Sequence, residues 1–287
     1  MQLGYNTNGF GFHRLEEATD IIAELGYRCI ALTLDVHHLD PFKSSANDVA
    51  NFKARIERHG LSCVIETGAR FLLDPRRKHR PTLLDTNPGP RLELMERAMQ
   101  IAATLGASCV SYWSGARPVE PVRGGDGELF KRLAGHVVRL EERAAALGVA
   151  LAIEPEPGFL VESMADYERL CGLVGRELGL TLDIGHLRCV EAAPERELIT
   201  RYANVLRNVQ LDDMKAGVHR HLPFGEGEVD WTGVFNAFAH IEYHGPACVE
   251  LSESSRDAVN VARQSMDFLR SQIAKAAQSR GQPGVVR

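Results

Sequence analysis

The sequence lacks the cysteine spacing that binds structural zinc or staples a small disulfide scaffold. It has 287 residues and six cysteines, no two of which are separated as in a C-x-x-C motif. A chain of this length buries a large core without disulfides or a structural metal. We therefore expect buried free thiols in a reducing compartment. The cysteines are Cys29, Cys63, Cys109, Cys171, Cys189 and Cys248.

Long hydrophobic runs and an excess of basic residues are also missing. No stretch approaches the roughly 18 uninterrupted apolar residues of a membrane span, and the N-terminus lacks the features of a signal peptide. Acidic residues outnumber basic ones by 38 to 33, a formal net charge of −5, which argues against a general nucleic-acid binder. The composition is that of a soluble globular protein, which we expect to be cytoplasmic, with no membrane or nucleic-acid partner.

Short apolar runs with strand character alternate with helical segments along nearly the whole chain. The runs are apolar nearly throughout, which is typical of parallel strands buried on both faces. Three of the helical segments, which end at Leu25, Leu105 and Leu147, are each followed by a glycine that favours a helix end. The predicted strands are Leu3–Asn6, Cys29–Asp35, Ser62–Thr67, Ser108–Trp113, Val149–Glu154, Leu178–Asp183, Leu206–Leu211 and Ala247–Leu251.

Eight strand–helix units in about 270 residues predict an α/β fold with one domain, the (β/α)8 or TIM barrel. We assign residues 1–270 to the barrel. Residues 271–287 lose the helical periodicity and end in a Gly-Gln-Pro-Gly segment, which predicts a flexible C-terminal tail. The alternative is a doubly wound open sheet, but no glycine-rich phosphate-binding sequence follows an early strand.

Polar residues at the strand ends indicate where the chemistry lies, because barrel enzymes place it at the carboxyl ends of the strands. Four consecutive predicted strands supply Glu154, Asp183, Gln210 and Glu250. Three carboxylates at one barrel mouth would repel one another, and a divalent cation would resolve that conflict. We predict these four residues as metal ligands. Their oxygen donors favour Mg²⁺ or Mn²⁺, while Co²⁺ and Zn²⁺ stay open. The alternative is that each acid separately caps a helix or pairs with an arginine.

Further polar and aromatic residues near the strand ends are candidates for substrate contact. His186 lies three residues beyond Asp183, in position to donate to a substrate hydroxyl, and Glu66 ends the third predicted strand. For each candidate a structural role is the alternative: a buried histidine, a stiff proline turn, a solvated side chain or core packing. The predicted substrate-binding residues are His186, His221, Glu156, Trp113 and His37.

A basic loop follows the third predicted strand. Residues 74–80 read DPRRKHR and belong to a long connection that reaches Pro90. Loops longer than about 12–15 residues are often lids over a site. This run is suited to hold a phosphate or carboxylate of the substrate, and a solvated surface is the alternative.

The order of the strand-end motifs resembles the xylose-isomerase-like TIM barrels. The motifs are AIEPEPG at Glu154, LDIGH at Asp183, VQLDD at Gln210 and VEL at Glu250. Residues 221–231, HLPFGEGEVDW, are similar to the loop after the seventh strand of that family, and the resemblance covers roughly residues 1–270. Many members have a histidine where this chain has Gln210, although some isomerases and dehydratases of the group have glutamine there.

The resemblance implies a metal-dependent sugar isomerase or epimerase. The cation would polarise a carbonyl and its adjacent hydroxyl in a keto-sugar or related hydroxy-carbonyl compound. Glu154 and Glu250 would be the catalytic acid/base pair, removing and returning a proton on carbon through an enediolate. The implied partner is a small-molecule sugar, and a homodimer is compatible with the sequence.

Two alternatives share this fold. A metal-dependent dehydratase of the inosose or dehydroshikimate type would use the same metal and enolate step. A nuclease resembling the AP endonucleases would need additional histidine ligands, but Tyr112 and Trp113 stand where one is wanted and Gln210 replaces another. The acidic balance of the chain also argues against the nuclease.

Overall fold

Eight parallel strands close into a barrel. The computed structural model of the protein describes residues 1–281. The barrel strands are β1 (Gln2–Asn6), β2 (Cys29–Thr33), β3 (Ser62–Glu66), β4 (Val110–Trp113), β5 (Leu151–Glu154), β6 (Leu180–Asp183), β7 (Leu206–Leu211) and β10 (Pro246–Val249), while β8 (Asp213–Lys215) and β9 (Val218–Leu222) form a separate hairpin. Around the barrel the strands follow the order β1-β10-β7-β6-β5-β4-β3-β2, and β2 pairs with β1 to close it. The single-domain TIM barrel expected from the sequence is confirmed.

Helices surround the barrel, with short 3-10 turns at Thr7–Phe10 and Ser252–Asp257. Gly106 and Gly148 end the helices before them in the left-handed conformation, with φ of 68° at each, as their positions after the helical segments predict. The helices are α1 (Leu15–Glu24), α2 (Ala46–His59), α3 (Gly89–Leu105), α4 (Gly125–Leu147), α5 (Met164–Val174), α6 (Ile184–Val190), α7 (Glu195–Arg201), α8 (Trp231–His240) and α9 (Ala258–Gly281). In the part of the chain that the structure describes, no helix is long and apolar enough to cross a membrane.

The strands are buried on both faces, as their apolar composition predicts. Every residue of β2, β5, β6 and β10 is buried. All six cysteines are free. Cys29, Cys63, Cys109 and Cys248 are completely buried or nearly so, while Cys171 and Cys189 are partly exposed.

A small antiparallel hairpin follows β7 and was not predicted from the sequence. It consists of β8 (Asp213–Lys215) and β9 (Val218–Leu222), joined through Gly217, which has a φ of 71°. The hairpin lies at the carboxyl end of the barrel because it continues directly from β7. It therefore places two histidines, His219 and His221, beside the strand ends.

The C-terminal region differs from the predicted tail. The last helix, α9, continues through Gly281, and Ala276 is buried. Residues 271–281 are therefore helical, although their weak periodicity predicted no helix, and the flexibility expected of this segment stays a prediction. Alanine, lysine and glutamine in this stretch are strong helix formers even though the apolar stripe is short. The predicted flexibility of residues 282–287 lies outside the described residues.

Candidate active site

A polar cavity of about 250 Å³ lies at the carboxyl ends of the barrel strands. Most strands of the barrel contribute a side chain to it, because alternate residues at the end of each strand face the barrel axis. Six of these side chains are Asn6, Thr33, Glu66, Trp113, Glu154 and Gln210. The residues beyond the strands add Glu156, His186, His219, His221 and Glu250. The predicted site residues other than Asp183 and His37 thus meet in one cavity.

Glu154 ends β5 and is buried in this cavity. Its strand neighbour in register is Trp113, whose indole Nε1 donates to Glu154 Oε2 at 2.8 Å. The other oxygen, Oε1, lies 3.5 Å from His186 Nδ1. Burial raises the pKa of Glu154 well above its usual range, and the acidic neighbours add to the effect, Glu156 and Glu250 first. A positive charge near this carboxylate would therefore favour its ionised form.

Asp183 ends β6 and is also the N-cap of α6. Its Oδ1 accepts a hydrogen bond from the His186 backbone N–H at 2.8 Å, whereas its buried Oδ2 has no hydrogen-bond partner among the described residues. Burial, and after it the Asp212 carboxylate, raise the pKa of Asp183 well above its usual range. Asp183 is not among the residues that line the cavity. It pairs with Gln210 in the sheet register and lines a small pocket that His186 also lines. The capping alternative therefore accounts for one oxygen of Asp183 but leaves the other free.

His186 is held by its Nδ1 and has a free Nε2. Nδ1 faces the Pro155 carbonyl oxygen at 3.2 Å, and Nε2 is buried without a hydrogen-bond partner in residues 1–281. Nε2 lies 3.8 Å from both Asp183 Oδ2 and Glu156 Oε2, too far for hydrogen bonds. Burial lowers the pKa of His186 well below its usual range, which favours the neutral ring. A neutral imidazole with one nitrogen fixed and the other free is a typical metal ligand.

Asp212, which is buried, pairs with the partly buried His221 beyond the carboxyl end of β7. His221 Nδ1 hydrogen-bonds Asp212 Oδ2. Burial opposes the charged imidazole, but the Asp212 carboxylate and further acids raise the pKa of His221 well above its usual range. Burial raises the pKa of Asp212 to about 6, against the opposing effect of His221. Asp212 Oδ1 has no hydrogen-bond partner among the described residues.

His219 and His221 lie on the same face of β9, since residues two apart in a strand point the same way. Both pack against His186, with ring centroids 5.0 and 5.7 Å away. His219 Nε2 lies 3.6 Å from Glu156 Oε1. Burial, and then the neighbouring His221, lower the pKa of His219 to about 4.

The donor atoms of this region fit a divalent cation. Three groups have one ligand atom per residue within 4.8 Å of one another. They are Glu154 with Asp183 and His186, Asp183 with Asp212 and His221, and His186 with His219 and His221. The unpartnered buried atoms Asp183 Oδ2, His186 Nε2, Gln210 Oε1 and Asp212 Oδ1 support the same interpretation, because buried polar atoms otherwise find partners.

Glu250 follows β10 and belongs to none of these three groups. Asn8 Nδ2 donates to Glu250 Oε1 at 2.6 Å, and the Glu250 backbone N–H donates to Leu211 O. Its charge contributes to the raised pKa values of Glu154, Asp183 and Asp212. Glu250 is therefore electrostatically part of the cluster.

Glu66 is a site residue that the sequence reasoning left out of the predicted set. It ends β3, is buried, and accepts a hydrogen bond from Asn208 Nδ2 at 3.0 Å. Burial and the charge of Glu250 raise the pKa of Glu66 to about 8. The signal for Glu66 was the same as for Glu154, an acid at a strand end. Asn8 and His219 were harder to predict as site residues, because they lie outside the barrel strands and do not end an apolar run.

His37 is the predicted site residue that the structure places elsewhere. It is exposed at a tight turn and lines a separate depression beside α1 and α2. The turn is closed by two backbone hydrogen bonds between Asp35 and His38. These bonds bring His38 inside, with its Nε2 3.0 Å from His13 O, and leave the His37 ring outside. His37 is accordingly not a part of the cavity.

The protein is a parallel eight-stranded barrel, and carboxylates and histidines cluster at the ends of its strands. It thus belongs to the class of barrel proteins whose strand ends are suited to hold a divalent cation. The particular family follows from the sequence: residues 19–272 match the xylose isomerase-like TIM barrel family. The chain belongs to that family.

The chain is similar to a curated protein in sequence and to solved structures in fold. The chain is 26% identical over 238 residues to the L-ribulose-5-phosphate 3-epimerase UlaE of Escherichia coli, a match that covers 75% of this chain and 77% of the relative. The fold is similar to that of a D-tagatose 3-epimerase-like protein, with a TM-score of 0.79, 20% identity and coverage of 98% and 100% of the two chains. It is also similar to the IOLI protein with a bound zinc atom, with a TM-score of 0.76, 17% identity and coverage of 96% and 99%.

Proposed function

We propose that the protein is a metal-dependent sugar epimerase that inverts a carbon next to the carbonyl group of a keto-sugar. The observation that carries the proposal is the cavity itself, which combines buried carboxylates with buried nitrogen and oxygen atoms that have no hydrogen-bond partner and could bind a metal ion. The relationship to a ketose-phosphate 3-epimerase supports this reaction class. An isomerase acting on a related hydroxy-carbonyl compound would use the same residues.

Glu154, Asp183, Gln210 and Glu250 are the ligands that we propose for a divalent cation. Glu154 and Asp183 also belong to one of the observed donor groups, in which His186 is the third member. Oxygen donors favour Mn²⁺ or Mg²⁺, and the nearby imidazoles make Co²⁺ and Zn²⁺ compatible as well. When bound, such a cation polarises the substrate carbonyl and hydroxyl, which makes the proton on the adjacent carbon easier to remove.

Glu154 and Glu250 are the proposed acid/base pair. In the barrel order, β6 and β7 separate their strands on one side and four strands separate them on the other. The two carboxylates therefore approach a substrate in the cavity from different walls. Trp113 orients Glu154 and Asn8 orients Glu250. One carboxylate removes the proton and gives an enediolate, and the other returns a proton on the opposite face.

The remaining cavity side chains would position the substrate. Glu156, His186 and His221 present polar atoms toward the space beside Glu154. Trp113 forms an apolar wall together with the Phe159 and His79 rings, whose centroids lie 5.4 and 4.9 Å from it. Hydroxyl groups of a sugar match the polar residues, and its C–H faces match the indole.

Solvent isotope incorporation tests the proposed function. Candidate ketoses are incubated with the protein and Mn²⁺ in D₂O, and we expect an epimer with one deuterium on the inverted carbon. Glu154→Gln and Glu250→Gln should each lower the rate about 10²- to 10⁴-fold, the usual contribution of a general acid or base. Arg97→Ala, which removes an exposed ion pair with Glu93 on α3, is the matched control and should retain the rate.

Three outcomes would contradict the proposal. Undiminished activity after chelation and dialysis would exclude a role for the metal. Wild-type rates in both glutamine variants would exclude the acid/base pair. Net loss of water from the substrate would favour the dehydratase instead.

A further inference from the structure

In the basic loop at residues 74–80, some of the cationic side chains form ion pairs and others do not. Arg77 Nε pairs with Asp74 Oδ2 at 2.7 Å, and Arg80 Nη1 pairs with Asp85 Oδ1 at 2.7 Å. Lys78 makes no ion pair with any carboxylate of the described residues. The paired guanidinium groups of Arg77 and Arg80 are already neutralised. Arg76 also lacks an ion pair among the described residues, but it does not line the active-site cavity, whereas Lys78 does.

Lys78 and Arg70 both line the rim of the active-site cavity. Arg70 is half-buried and, within residues 1–281, also has no carboxylate partner. Burial raises the pKa of Glu156 to about 8, and the Lys78 charge opposes this effect. The ammonium group is therefore close enough to act on a residue of the cavity. A third rim cation, Arg220, is compensated by Glu253, with Nε and Oε2 3.3 Å apart.

Hydrogen bonds from one buried arginine fix the backbone of the loop segment that carries the two cations. The buried guanidinium of Arg91 donates to the carbonyl oxygens of Thr67 at 2.9 Å, His79 at 2.9 Å and Pro81 at 3.1 Å. The His79 backbone N–H donates to Arg70 O at 2.6 Å, which joins the two cation-bearing segments. A cation on a fixed loop loses less conformational entropy on binding than one on a mobile loop.

The His79 side chain adds a second anchor. Its Nδ1 lies 2.8 Å from Gly68 O, and its ring stacks edge-on against Trp113 with centroids 4.9 Å apart. Trp113 in turn donates to Glu154. The loop is thus connected by direct contacts to the proposed catalytic carboxylate.

Charge differs sharply between the floor and the rim of the cavity. The floor carries Glu66, Glu154 and Glu250, which would repel an anionic group and suit the neutral hydroxyl and carbonyl end of a sugar. The rim carries the two uncompensated cations. We propose that Arg70 and Lys78 form an anion subsite that binds the phosphate group of a phosphorylated ketose. This inference rests on the proposed function for the rest of the substrate.

A phosphate ester suits this subsite better than a carboxylate. Arginine binds phosphate oxygens with two parallel N–H groups, and lysine adds a point charge. A dianionic phosphate interacts with both cations at once, whereas a carboxylate carries a single negative charge. The preference is therefore for the phosphate ester of a sugar over the corresponding sugar acid.

Calorimetric titration and initial-rate kinetics test the subsite. The probes are ribulose 5-phosphate, unphosphorylated ribulose and a ketose acid, each with the Mn²⁺-loaded protein. We expect tighter binding of the phosphate ester, with an affinity that falls about 10- to 100-fold in Lys78→Ala and in Arg70→Ala, the effect of losing one charge-assisted hydrogen bond. Lys78→Arg should retain most of the preference.

Arg76→Ala is the matched control. It removes the same charge from the same loop, but Arg76 is exposed and does not line the cavity. Its affinity for the phosphate ester should stay within about twofold of the wild type, which bounds the general effect of net charge. Thermal denaturation of all variants checks that the fold is retained.

The outcomes separate this proposal from the proposed function. Equal affinity for the phosphorylated and unphosphorylated ketose, or no change in Lys78→Ala and Arg70→Ala, would overturn the subsite while epimerisation could still be observed. A stronger dependence on these two cations for the ketose acid would overturn the assignment to phosphate. Binding of the phosphate ester that depends on Lys78, without epimerisation of any ketose, would support the subsite and contradict the epimerase.

Discussion

Asp183 ends β6, and its two carboxylate oxygens lie in different environments. Oδ1 caps α6 through the His186 backbone N–H, and Oδ2 is buried without a hydrogen-bond partner among the described residues. A residue that served only as a helix cap would have no reason to leave its second carboxyl oxygen buried and unpaired. The fold and the candidate metal site therefore depend on different atoms of the same side chain.

The two roles of Asp183 can be separated by substitution. Asparagine caps a helix about as well as aspartate, so Asp183→Asn should retain the melting temperature of the metal-free protein or raise it, because one charge leaves an acidic cluster. Its Mn²⁺ affinity, measured by calorimetric titration, should fall at least about tenfold. Asp183→Ala should also lose about 1 kcal/mol of stability with the cap. Wild-type Mn²⁺ affinity in Asp183→Asn would exclude Asp183 as a ligand.

At the scale of elements, the β8–β9 hairpin explains why part of the site was missed. The strand-end residues Glu154, Asp183 and Gln210 could be predicted because buried parallel strands are apolar runs, and the polar residue that ends each run is conspicuous. The hairpin strands are short, and β9 is largely exposed. Such strands have no hydrophobic pattern to reveal them. The approach of His219 to His186 therefore could not be read from the sequence.

The loop after the hairpin is anchored by Asp213. This buried carboxylate accepts hydrogen bonds from Gly225 N at 2.8 Å, Val229 N at 3.1 Å and Trp231 Nε1 at 3.3 Å. The resemblance of residues 221–231 to a loop of the family thus has a physical basis, because Asp213 accepts three hydrogen bonds that hold this loop in place. Gly227 packs directly against Asp213, where a Cβ atom would collide with the carboxylate and the backbone.

Removal of this anchor should destabilise the protein. In Asp213→Ala, buried donors lose a charged acceptor, so we expect the free energy of unfolding to fall by about 3 kcal/mol, measured by urea denaturation. Glu228→Ala is the matched control, since Glu228 accepts one bond from Ala216 N at 3.1 Å at an exposed position, and it should cost less than about 1 kcal/mol. Equal stability of the two variants would show that Asp213 does not hold the loop.

At the scale of the whole molecule, the architecture could be predicted more completely than the surface. Eight apolar runs with helical segments between them allow few topologies, and the closed barrel is the one observed. The exposed turn at His37 was not predicted, because the hydrogen bonds of a tight turn leave only a weak pattern in the sequence. The helix after residue 270 was not predicted because its helix-forming residues show no clear apolar stripe. Which cations of the basic loop are paired could not be predicted from the sequence either, because the pairing depends on the positions of Asp74 and Asp85 in the folded chain.

The net charge of −5 is concentrated in part at one end of the barrel, and this has a consequence for the stability of the whole fold. Burial and mutual repulsion raise the pKa values of Glu154, Asp183 and Glu66, so the metal-free protein carries uncompensated electrostatic strain. A cation that binds the folded state alone stabilises it by about 2.7 kcal/mol at a concentration of 100 times its Kd. For a domain of this size the melting temperature should rise by roughly 5 °C or more.

Differential scanning calorimetry with and without Mn²⁺ measures this rise. NaCl at matched ionic strength is the control, because general screening acts on all exposed charges whereas a bound cation acts at the buried cluster. Asp183→Asn provides the second control, since it keeps the fold and removes one proposed ligand, and its Mn²⁺-dependent rise should be smaller. If NaCl raised the melting temperature as much as Mn²⁺, or if the rise were the same in Asp183→Asn, the acids at the barrel mouth would not be holding a cation. The buried Asp183 Oδ2 and His186 Nε2 would then need another ligand to satisfy them.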